Sequence, residues 1–404
     1  MTIRMRPVVG LLLLIVTACG GRGDRGAGVR DEALSDVLTL EGTFGAEDIA
    51  EEYILARPSP EGVGVDIEGN VLVVDEAYVK VFGADGRPMQ LLGGSGEGPG
   101  EFARPRIIWM GADGYFTVLD GWTAHHFRPD HSFLDRTDLM FLDSFRNIME
   151  VDNLLPQEPE AVYCLGELER VYALDSRDVD RENRSRKEIY LFYQDADSLQ
   201  VIAHYPQSNF VSSPLGNTVS SGVWGSLEIA PLPGKRIVYL HTHHDTEISE
   251  AGVTYRLTLL DLKTMRSTHI DHHDPAYLPV ECSWEPMSYP EEYREQQPEQ
   301  WRRMQVMNQL VEEFIAERKF DCPVQRLYTD DEFIFVFTNA RNDSSDVKVD
   351  VFRADRGYLR SAWFSVGFGC ICDGYLYKVS NYFSGEEFPQ IEKYRIDPRV
   401  YGRR

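Results

Sequence analysis

Basic residues are scarce in this chain relative to acidic ones. Its 404 residues include 41 Lys and Arg but 65 Asp and Glu, which gives a formal charge of −24 at neutral pH. A protein that binds a nucleic-acid backbone needs cationic side chains to release its counterions, so this balance excludes nucleic acid as the partner. It equally disfavours adsorption to anionic lipid. We expect a monomer with an acidic, well-solvated exterior.

Recognisable catalytic motifs are missing as well. No Ser/His/Asp, Cys/His or paired-carboxylate signature stands out in the sequence. The glycine-rich run Gly93–Phe102 lacks the Lys-Ser/Thr of a phosphate-binding loop and no helix follows it, so we interpret it as a shaped connecting loop. A site assembled from loops of separate repeats would leave no such motif, so an enzyme remains the alternative to a non-enzymatic role.

Cysteine is infrequent, and the cysteines other than Cys19 are odd in number. The other five are Cys164, Cys282, Cys322, Cys370 and Cys372. An exported protein can form disulfides, but an odd number leaves at least one thiol unpaired. Cys282 and Cys322 bracket a helical segment and are the candidate pair. Cys370 and Cys372 share one face of a strand, where we expect thiols that pack rather than bridge.

The amino terminus carries a short targeting signal. Two arginines precede the apolar stretch Val8–Val16, which is too short to span a bilayer stably. Val16-Thr17-Ala18-Cys19 resembles the lipobox of bacterial lipoproteins, which implies a signal peptide over residues 1–18 and lipidation of Cys19. The Gly- and Arg-rich residues 19–35 then form a flexible tether. Gly20 after the cysteine implies, by the same resemblance, the outer membrane as destination.

Two short apolar runs and their turns begin a repeat. Val71–Val74 and Tyr78–Phe82 are strand-like, and polar turns follow each of them. The pattern recurs about 45 residues later, in the range of a four-stranded propeller blade. The matched residues are Gly69 with Gly114, Asp75 with Asp120, Phe82 with Phe127, and Asp85 with Asp130.

Strand-like segments continue to the carboxyl terminus and predict six blades within residues 36–404. Blade one covers Val63–Leu92, blade two Arg106–Thr137, and blade three has strands near residues 171–174, 189–193 and 199–204. We interpret the charged run 178–187 between the latter as an exposed loop. The strand Asp36–Leu40 has no neighbour in sequence, so we expect it to complete the last blade from the opposite terminus and leave no sheet edge open.

The period changes once, within residues 288–318. Apolar residues recur there every three or four positions, which predicts an amphipathic helix packed on the propeller. Ser288 and Glu291 resemble a capping box, and Pro298 is suited to open the longer helix.

The repeat residues resemble those of a known group of propellers. Gly69–Asp75, Val81–Gly86 and the run from Gly93 to Phe102 with Pro105 are similar to NHL repeats, and in particular to exported bacterial six-bladed propeller lipoproteins with NHL-like repeats. The resemblance covers the first two blades well and the others loosely. It implies an all-β six-bladed propeller of four-stranded antiparallel blades at the cell envelope, in the periplasm.

Two aspartates and a group of histidines are the candidate site residues. Asp75 and Asp120 end equivalent strands and could ring the central channel, as acidic residues do in calcium-dependent propeller lactonases. The other interpretation is that each accepts hydrogen bonds from turn amides. His125 and His126 are interpreted as strand packing and exposure.

The remaining histidines could bind a divalent metal. His241 and His243 share a face at strand period, with His244 beside them, and His272 and His273 lie on what we expect to be the fourth strand of the same blade. Imidazoles beside carboxylates suit zinc or another transition metal. The two groups would reach the same rim about 10 Å apart, two strand spacings, which is wide for one ion. A histidine-rich surface rim is the alternative.

These observations predict a lipid-anchored, six-bladed envelope propeller that binds a protein, peptide or glycan partner. Its rigid ring would present loops and a channel mouth to that partner. The alternative is a metal-dependent hydrolase or lyase, similar to the propeller lactonases, with its site at the central channel.

Overall fold

The structure is a computed structural model of the chain. It describes residues 33–45, 49–111, 113–121, 123–138, 157–162, 170–179, 185–194, 199–212, 218–219, 225–281, 288, 290–365, 369–380 and 388–403. The predicted signal peptide, Cys19 and most of the tether lie outside these residues. So do Cys164 and Cys282, and with Cys282 the predicted pairing to Cys322.

The described residues form 26 strands, which hydrogen bonds sort into six antiparallel sheets. The first strand, β1 (Leu38–Phe44), pairs far from its neighbours in sequence. Sheet 1 follows it, with the strands β2 (Pro58–Val65), β3 (Val71–Asp75), β4 (Tyr78–Phe82) and β5 (Pro88–Gly93). Sheet 2 has β6 (Pro105–Met110), β7 (Phe116–Asp120), β8 (Thr123–Phe127) and β9 (Phe133–Asp138).

The middle of the chain forms two five-stranded sheets. Sheet 3 contains β10 (Gln157–Val162), β11 (Arg170–Val179), β12 (Ser185–Gln194), β13 (Leu199–Ser212) and β14 (Thr218–Val219). Sheet 4 contains β15 (Leu227–Leu232), β16 (Arg236–His241), β17 (Thr246–Ser249), β18 (Gly252–Asp261) and β19 (Arg266–Asp274).

Two four-stranded sheets complete the chain. Sheet 5 consists of β20 (Val324–Asp330), β21 (Phe333–Arg341), β22 (Val347–Arg353) and β23 (Gly357–Phe364). Sheet 6 consists of β24 (Gly369–Cys372), β25 (Tyr375–Ser380) and β26 (Gln390–Ile396), with β1 beside β26.

Sheets 1, 4, 5 and 6 bury both of their faces against neighbouring sheets. In β3, Val71 and Val73 pack with residues of sheet 6, whereas Leu72 and Val74 pack with residues of sheet 2. Successive side chains of a strand point to opposite faces, so a strand covered on both sides must be apolar throughout. The continuous run Val71–Val74 is explained by this arrangement.

The seam predicted from the sequence is confirmed. β1 pairs antiparallel with β26, from Leu38 opposite Ile396 to Phe44 opposite Ile391, and becomes the outermost strand of sheet 6. A bulge between Leu40 and Gly42 interrupts the ladder. Before the strand, Leu34 exchanges backbone hydrogen bonds with Ser361 and Trp363 of sheet 5. The amino-terminal segment thus joins two sheets.

The architecture is a β-propeller with four-stranded antiparallel blades, and its blade count differs from the prediction. The first strands of five sheets, β2, β6, β15, β20 and β24, line one central cavity. The structure therefore shows five blades, one fewer than the six expected. Sheet 3 packs on sheet 4 through Leu191 and Tyr193, but none of its described residues lines the cavity.

The two ends of the charged run 178–187 are strands and not the loop we expected. Asp178 pairs with Arg186 and Val179 with Ser185, so β11 and β12 extend into the run from both sides. Residues 180–184 lie outside the described residues. Cross-strand pairing satisfies the backbone of these polar residues as well as it does that of apolar ones. The prediction was wrong because it relied on side-chain polarity alone.

Helices form where the apolar period changes. The short helix α1 (Tyr293–Gln296) precedes α2 (Pro298–Arg318), whose first residue is the predicted Pro298. The predicted capping box at Ser288 does not begin a helix, since the first helical residue is Tyr293. Met304 is buried and α2 contacts β13, so the helix packs on the propeller as expected. No helix in the described part of the chain is long and apolar enough to cross a membrane.

The contribution of the seam can be measured by truncating Phe44. This ring is 3% exposed and packs on Phe82 and Tyr377, whereas Leu40 in the same strand is 52% exposed. Phe44→Ala should lower the free energy of unfolding by about 3–5 kcal/mol because it leaves a cavity between sheets 1 and 6. Leu40→Ala should change it by less than about 0.5 kcal/mol. Urea unfolding is the measurement, and equal effects of the two variants would contradict an integral seam.

Candidate binding cavity

A cavity of about 540 Å³ lies between the first strands of the five blades. Sheets arranged around a common axis leave this space because only one strand of each sheet reaches the centre. Its described lining comes from residues 60, 61 and 63–67, 107–111 and 114, 227–233, 326–331 and 369–373. Every one of the five blades therefore contributes side chains or backbone to the same space.

An ion bridge spans the cavity near the beginnings of these strands. Arg326 Nη2 lies 3.1 Å from Glu61 Oε1, and Arg326 Nη1 lies 3.7 Å from Glu228 Oε2. Ser226 Oγ donates to the other oxygen of Glu228 at 2.6 Å. One guanidinium of sheet 5 thus connects carboxylates of sheets 1 and 4.

Two aspartates near the ends of the same strands organise the opposite end of the cavity. Asp66 accepts hydrogen bonds from the backbone of Glu68 and Asn70, and its Oδ2 lies 2.9 Å from His131 Nε2 of sheet 2. Asp330 accepts from the backbone of Asp373 and Gly374 in sheet 6. Each carboxylate therefore fixes a turn at this mouth and connects two neighbouring blades.

Cys370 and Cys372 line the cavity as free thiols. They are two positions apart on β24, so they share one face of the strand. Both pack against the cluster between sheets 6 and 1, which confirms the expected packing. Burial, followed by the nearby negative charge of Asp373, Asp330 and Asp66, raises the pKa of Cys372 to about 12. Burial likewise raises the pKa of Cys370. Both thiols are consequently protonated at neutral pH and poor nucleophiles.

Asp75 and Asp120 do not line the described cavity. Asp75 is fully buried, accepts backbone hydrogen bonds from Ala56 and Arg57, and lies 2.8 Å from Lys80 Nζ. Asp75 therefore anchors the segment that enters the first strand of its own sheet, in accordance with the amide-accepting interpretation.

Asp120 repeats this arrangement in sheet 2. It accepts from the backbone of Ala103 and Arg104, so Ala56-Arg57-Pro58 and Ala103-Arg104-Pro105 are equivalent segments. The repeated Ala-Arg-Pro tripeptide was the sequence signal for this contact, and sequence reasoning missed it.

The histidines at the end of β16 face sheet 3. His241 is fully buried, its ring centroid lies 5.0 Å from that of Tyr205, and its Nδ1 accepts from the backbone of His243 and His244. Asp245 accepts from the backbone of His241 and from the Tyr205 hydroxyl. His243 and His244 belong to a turn after the strand. His241 and His243 therefore do not share a strand face, as we had expected them to.

His272 and His273 lie on β19, at the same end of sheet 4. His272 stacks on Tyr358 at 4.4 Å, and its Nε2 lies 3.6 Å from Asp350 Oδ2 in sheet 5. His273 is exposed and its Nδ1 lies 3.0 Å from Thr254 Oγ1. His241 packs toward sheet 3 and His272 toward sheet 5, so the structure separates the two groups by the sheet itself.

No metal-binding geometry is present in the part of the chain that the structure describes. Among those residues, no three His, Cys, Asp or Glu side chains converge closely enough to hold an ion. His125 and His126 are both buried in β8, so the expected strand packing is confirmed and the expected exposure was wrong.

The fold and the cavity define the class of protein, a β-propeller with a central cavity. No protein-family model and no curated protein matches the chain. Among solved structures, a Bacteroides fragilis protein described as exported is 12% identical, with 91% of this chain and 97% of that chain covered and a TM-score of 0.46. The WD40 domain of Neurospora crassa Pan2 is 9% identical, with 83% and 74% covered and a TM-score of 0.31. Likenesses this distant carry no argument about function.

The Asp75 contacts can be tested by a double-mutant cycle. Asp75→Asn should lower the free energy of unfolding by about 3 kcal/mol or more, because it leaves the buried Lys80 ammonium without its carboxylate. Asp75→Asn combined with Lys80→Met should recover at least half of that loss. Asp85→Asn, at an exposed turn, is the control and should have an effect below about 0.5 kcal/mol. Additive single effects would contradict a coupled pair.

His125 should make stability depend on pH. Burial lowers the pKa of His125, Asp120 partly opposes this, and Arg136 adds to it. A histidine whose folded pKa is depressed contributes stability above its unfolded pKa, about 6.5, and loses it as pH falls below that value. His125→Phe should preserve the ring packing against Phe102 and Phe133, and flatten the decline in unfolding free energy between pH 7.5 and 5.5. Parallel profiles for variant and wild type would refute this.

Proposed function

We propose that this chain is an exported lipoprotein whose six-bladed propeller binds a protein, peptide or glycan partner at the cell envelope. The cavity carries this proposal, because it combines apolar walls with polar groups fixed by neighbouring blades. Binding sites in rigid scaffolds typically have this composition. The role is binding rather than catalysis.

Sheet 3 is the sixth blade in this proposal. Its strands β10–β13 pair in sequence order, as those of sheets 1, 2 and 5 do. Leu191 and Tyr193 form one core with Leu227, Ile237 and Tyr239 of sheet 4, and β10 contacts β15, the first strand of that sheet. These are the contacts that a blade makes with the next blade in a ring.

The lipid anchor rests on the amino-terminal sequence. A positive end, a short apolar stretch and small residues before Cys19 support cleavage before this cysteine and its acylation. Gly20 at the following position supports the outer membrane as destination. The Gly-rich tether then allows the propeller to move at a distance from the bilayer.

The binding role predicts a contact at the cavity mouth in living cells. Ile67 lines the cavity and is 64% exposed, whereas Met89 on β5 is 56% exposed and outside the cavity lining. A photoactivatable phenylalanine analogue at position 67 should yield a covalent adduct with an envelope component, and the same analogue at position 89 should not. Mass spectrometry of the adduct identifies the partner as protein, peptide or glycan.

Two further arms complete this experiment. Cys19→Ser should move the protein from the membrane fraction to the soluble envelope fraction and abolish labelling by a radioactive fatty acid. Adducts of equal yield at both positions, or at neither, would contradict a partner at the cavity. A membrane-bound, labelled Cys19→Ser variant would contradict the anchor alone.

A further inference from the structure

The charged side chains of the cavity are unequally distributed in sign. Its described lining contains six carboxylates and one cation, Arg326. The carboxylates are Glu61, Asp66, Glu228, Asp330, Asp331 and Asp373. Low-dielectric walls focus the field of such an excess into the enclosed space and raise the local concentration of cations.

The guanidinium of Arg326, the one in the described lining, already shows how a cation is held in the cavity. Arg326 lies between Glu61 and Glu228, which come from two different sheets on either side of it. Glu228 is largely buried, whereas Glu61 is exposed and can change its conformation at little cost. The bridge therefore places a positive group of the protein itself between carboxylates that could otherwise bind an external one.

The other mouth presents exposed carboxylates. Asp66 and Asp330 are engaged by turn amides, but Asp331 and Asp373 are exposed at neighbouring turns of sheets 5 and 6. After burial, Asp373, Asp330 and Asp66 raise the pKa of Cys372 and only Lys393 lowers it, so carboxylates outnumber cations around this thiol. A positive group that enters here meets more carboxylates than cations.

Apolar and aromatic side chains form the walls between the two ends. Ile107, Trp109, Ile229 and Tyr328 line the cavity, and each is half-buried. Such walls suit the apolar body of a ligand, and an aromatic face also attracts a cation. The combination favours an organic cation over a bare metal ion, which would need oxygen ligands on all sides.

We propose that the cavity binds an ammonium or guanidinium group carried on an apolar chain, and that Arg326 competes with this group for Glu61 and Glu228. The inference rests on the proposed binding function and names the chemistry that the cavity recognises. A free alkylamine and a lysine or arginine side chain of a peptide share this chemistry.

A matched set of small probes tests the sign of the charge. Hexylammonium, hexanoate and hexanol have the same apolar chain and differ in charge, and acetyl-lysinamide represents the peptide side chain. Calorimetric titration of the full-length Cys19→Ser protein should show hexylammonium binding at least tenfold tighter than hexanol at low salt, and no hexanoate binding. Raising the salt to 1 M should reduce that preference, because the screening length falls to about 3 Å. If acetyl-lysinamide binds more tightly than hexylammonium, the natural ligand is a peptide side chain. If it binds more weakly than hexylammonium, the natural ligand is a free amine.

Variants of the two ends have opposite expected effects. Asp331→Asn with Asp373→Asn removes two exposed charges and should weaken hexylammonium binding about fivefold or more. Asp343→Asn with Glu250→Gln removes two exposed charges outside the cavity lining and should leave binding unchanged. Arg326→Gln should strengthen hexylammonium binding, because Glu61 and Glu228 lose their internal partner. A ligand held by Arg326 itself would instead lose affinity in this variant.

Three results would overturn the proposal. They are equal affinity for hexylammonium and hexanol, binding of hexanoate that Arg326→Gln abolishes, and binding of Ca²⁺ without binding of hexylammonium. Thermal unfolding of each variant shows whether it is folded, and the Asp331/Asp373 variant remains decisive if Arg326→Gln does not fold. An adduct at position 67 in cells without preference for hexylammonium would refute the ligand class and leave the binding role standing. A preference for hexylammonium without an adduct at position 67 in cells would refute the envelope partner and leave the ligand class standing.

Discussion

Burial of sheet faces by the neighbouring sheets is the constraint on which this structure depends. A four-stranded sheet with apolar residues at successive positions cannot cover either face by itself. Val71 and Val73 need sheet 6, and Leu72 and Val74 need sheet 2. The same requirement, repeated around the ring, brings the first strands together at one axis. The cavity is therefore a consequence of the packing and requires no separate design.

Carboxylates occupy two different environments in this arrangement. Asp75 and Asp120 hold the segments that enter the first strands, and Asp66 and Asp330 hold turns at one mouth of the cavity. Each is satisfied by amide or other donors, so its charge supports the backbone geometry. Glu61, Asp331 and Asp373 are exposed instead, and Glu61 is paired with Arg326.

Local patterns in the sequence predicted the parts of the fold that local forces determine. The runs Val71–Val74 and Tyr78–Phe82 and the helix that begins at Pro298 were found where the sequence placed them. The seam strand has the predicted partner, but it covers Leu38–Phe44 and not Asp36–Leu40. The strand ends within the charged run after Arg177 were missed because backbone pairing outweighs side-chain polarity there. Five blades line the cavity, one fewer than the six predicted, and sheet 3 as the sixth blade stays a proposal.

The site was less predictable than the fold because it depends on contacts between sheets. Arg326 and Glu61 are 265 positions apart in sequence, and no local pattern connects them. The histidines were a more conspicuous signal, yet His241 and His272 lie on opposite faces of one sheet. A strand register can place residues at the same end of a sheet, but face assignment needs the neighbouring sheets as well.

The position of Leu34 has a mechanical consequence. This residue is hydrogen-bonded to Ser361 and Trp363 of sheet 5, and only afterwards does the chain enter sheet 6 as β1. A pulling force on the preceding residues would therefore load the two Leu34 hydrogen bonds first, and then Val37, which is buried in the core between sheets 5 and 6. Tension would reach the β1–β26 ladder only after these contacts had broken. The Leu34 and Val37 contacts would therefore protect the pairing of β1 with β26 from a force applied at the amino terminus.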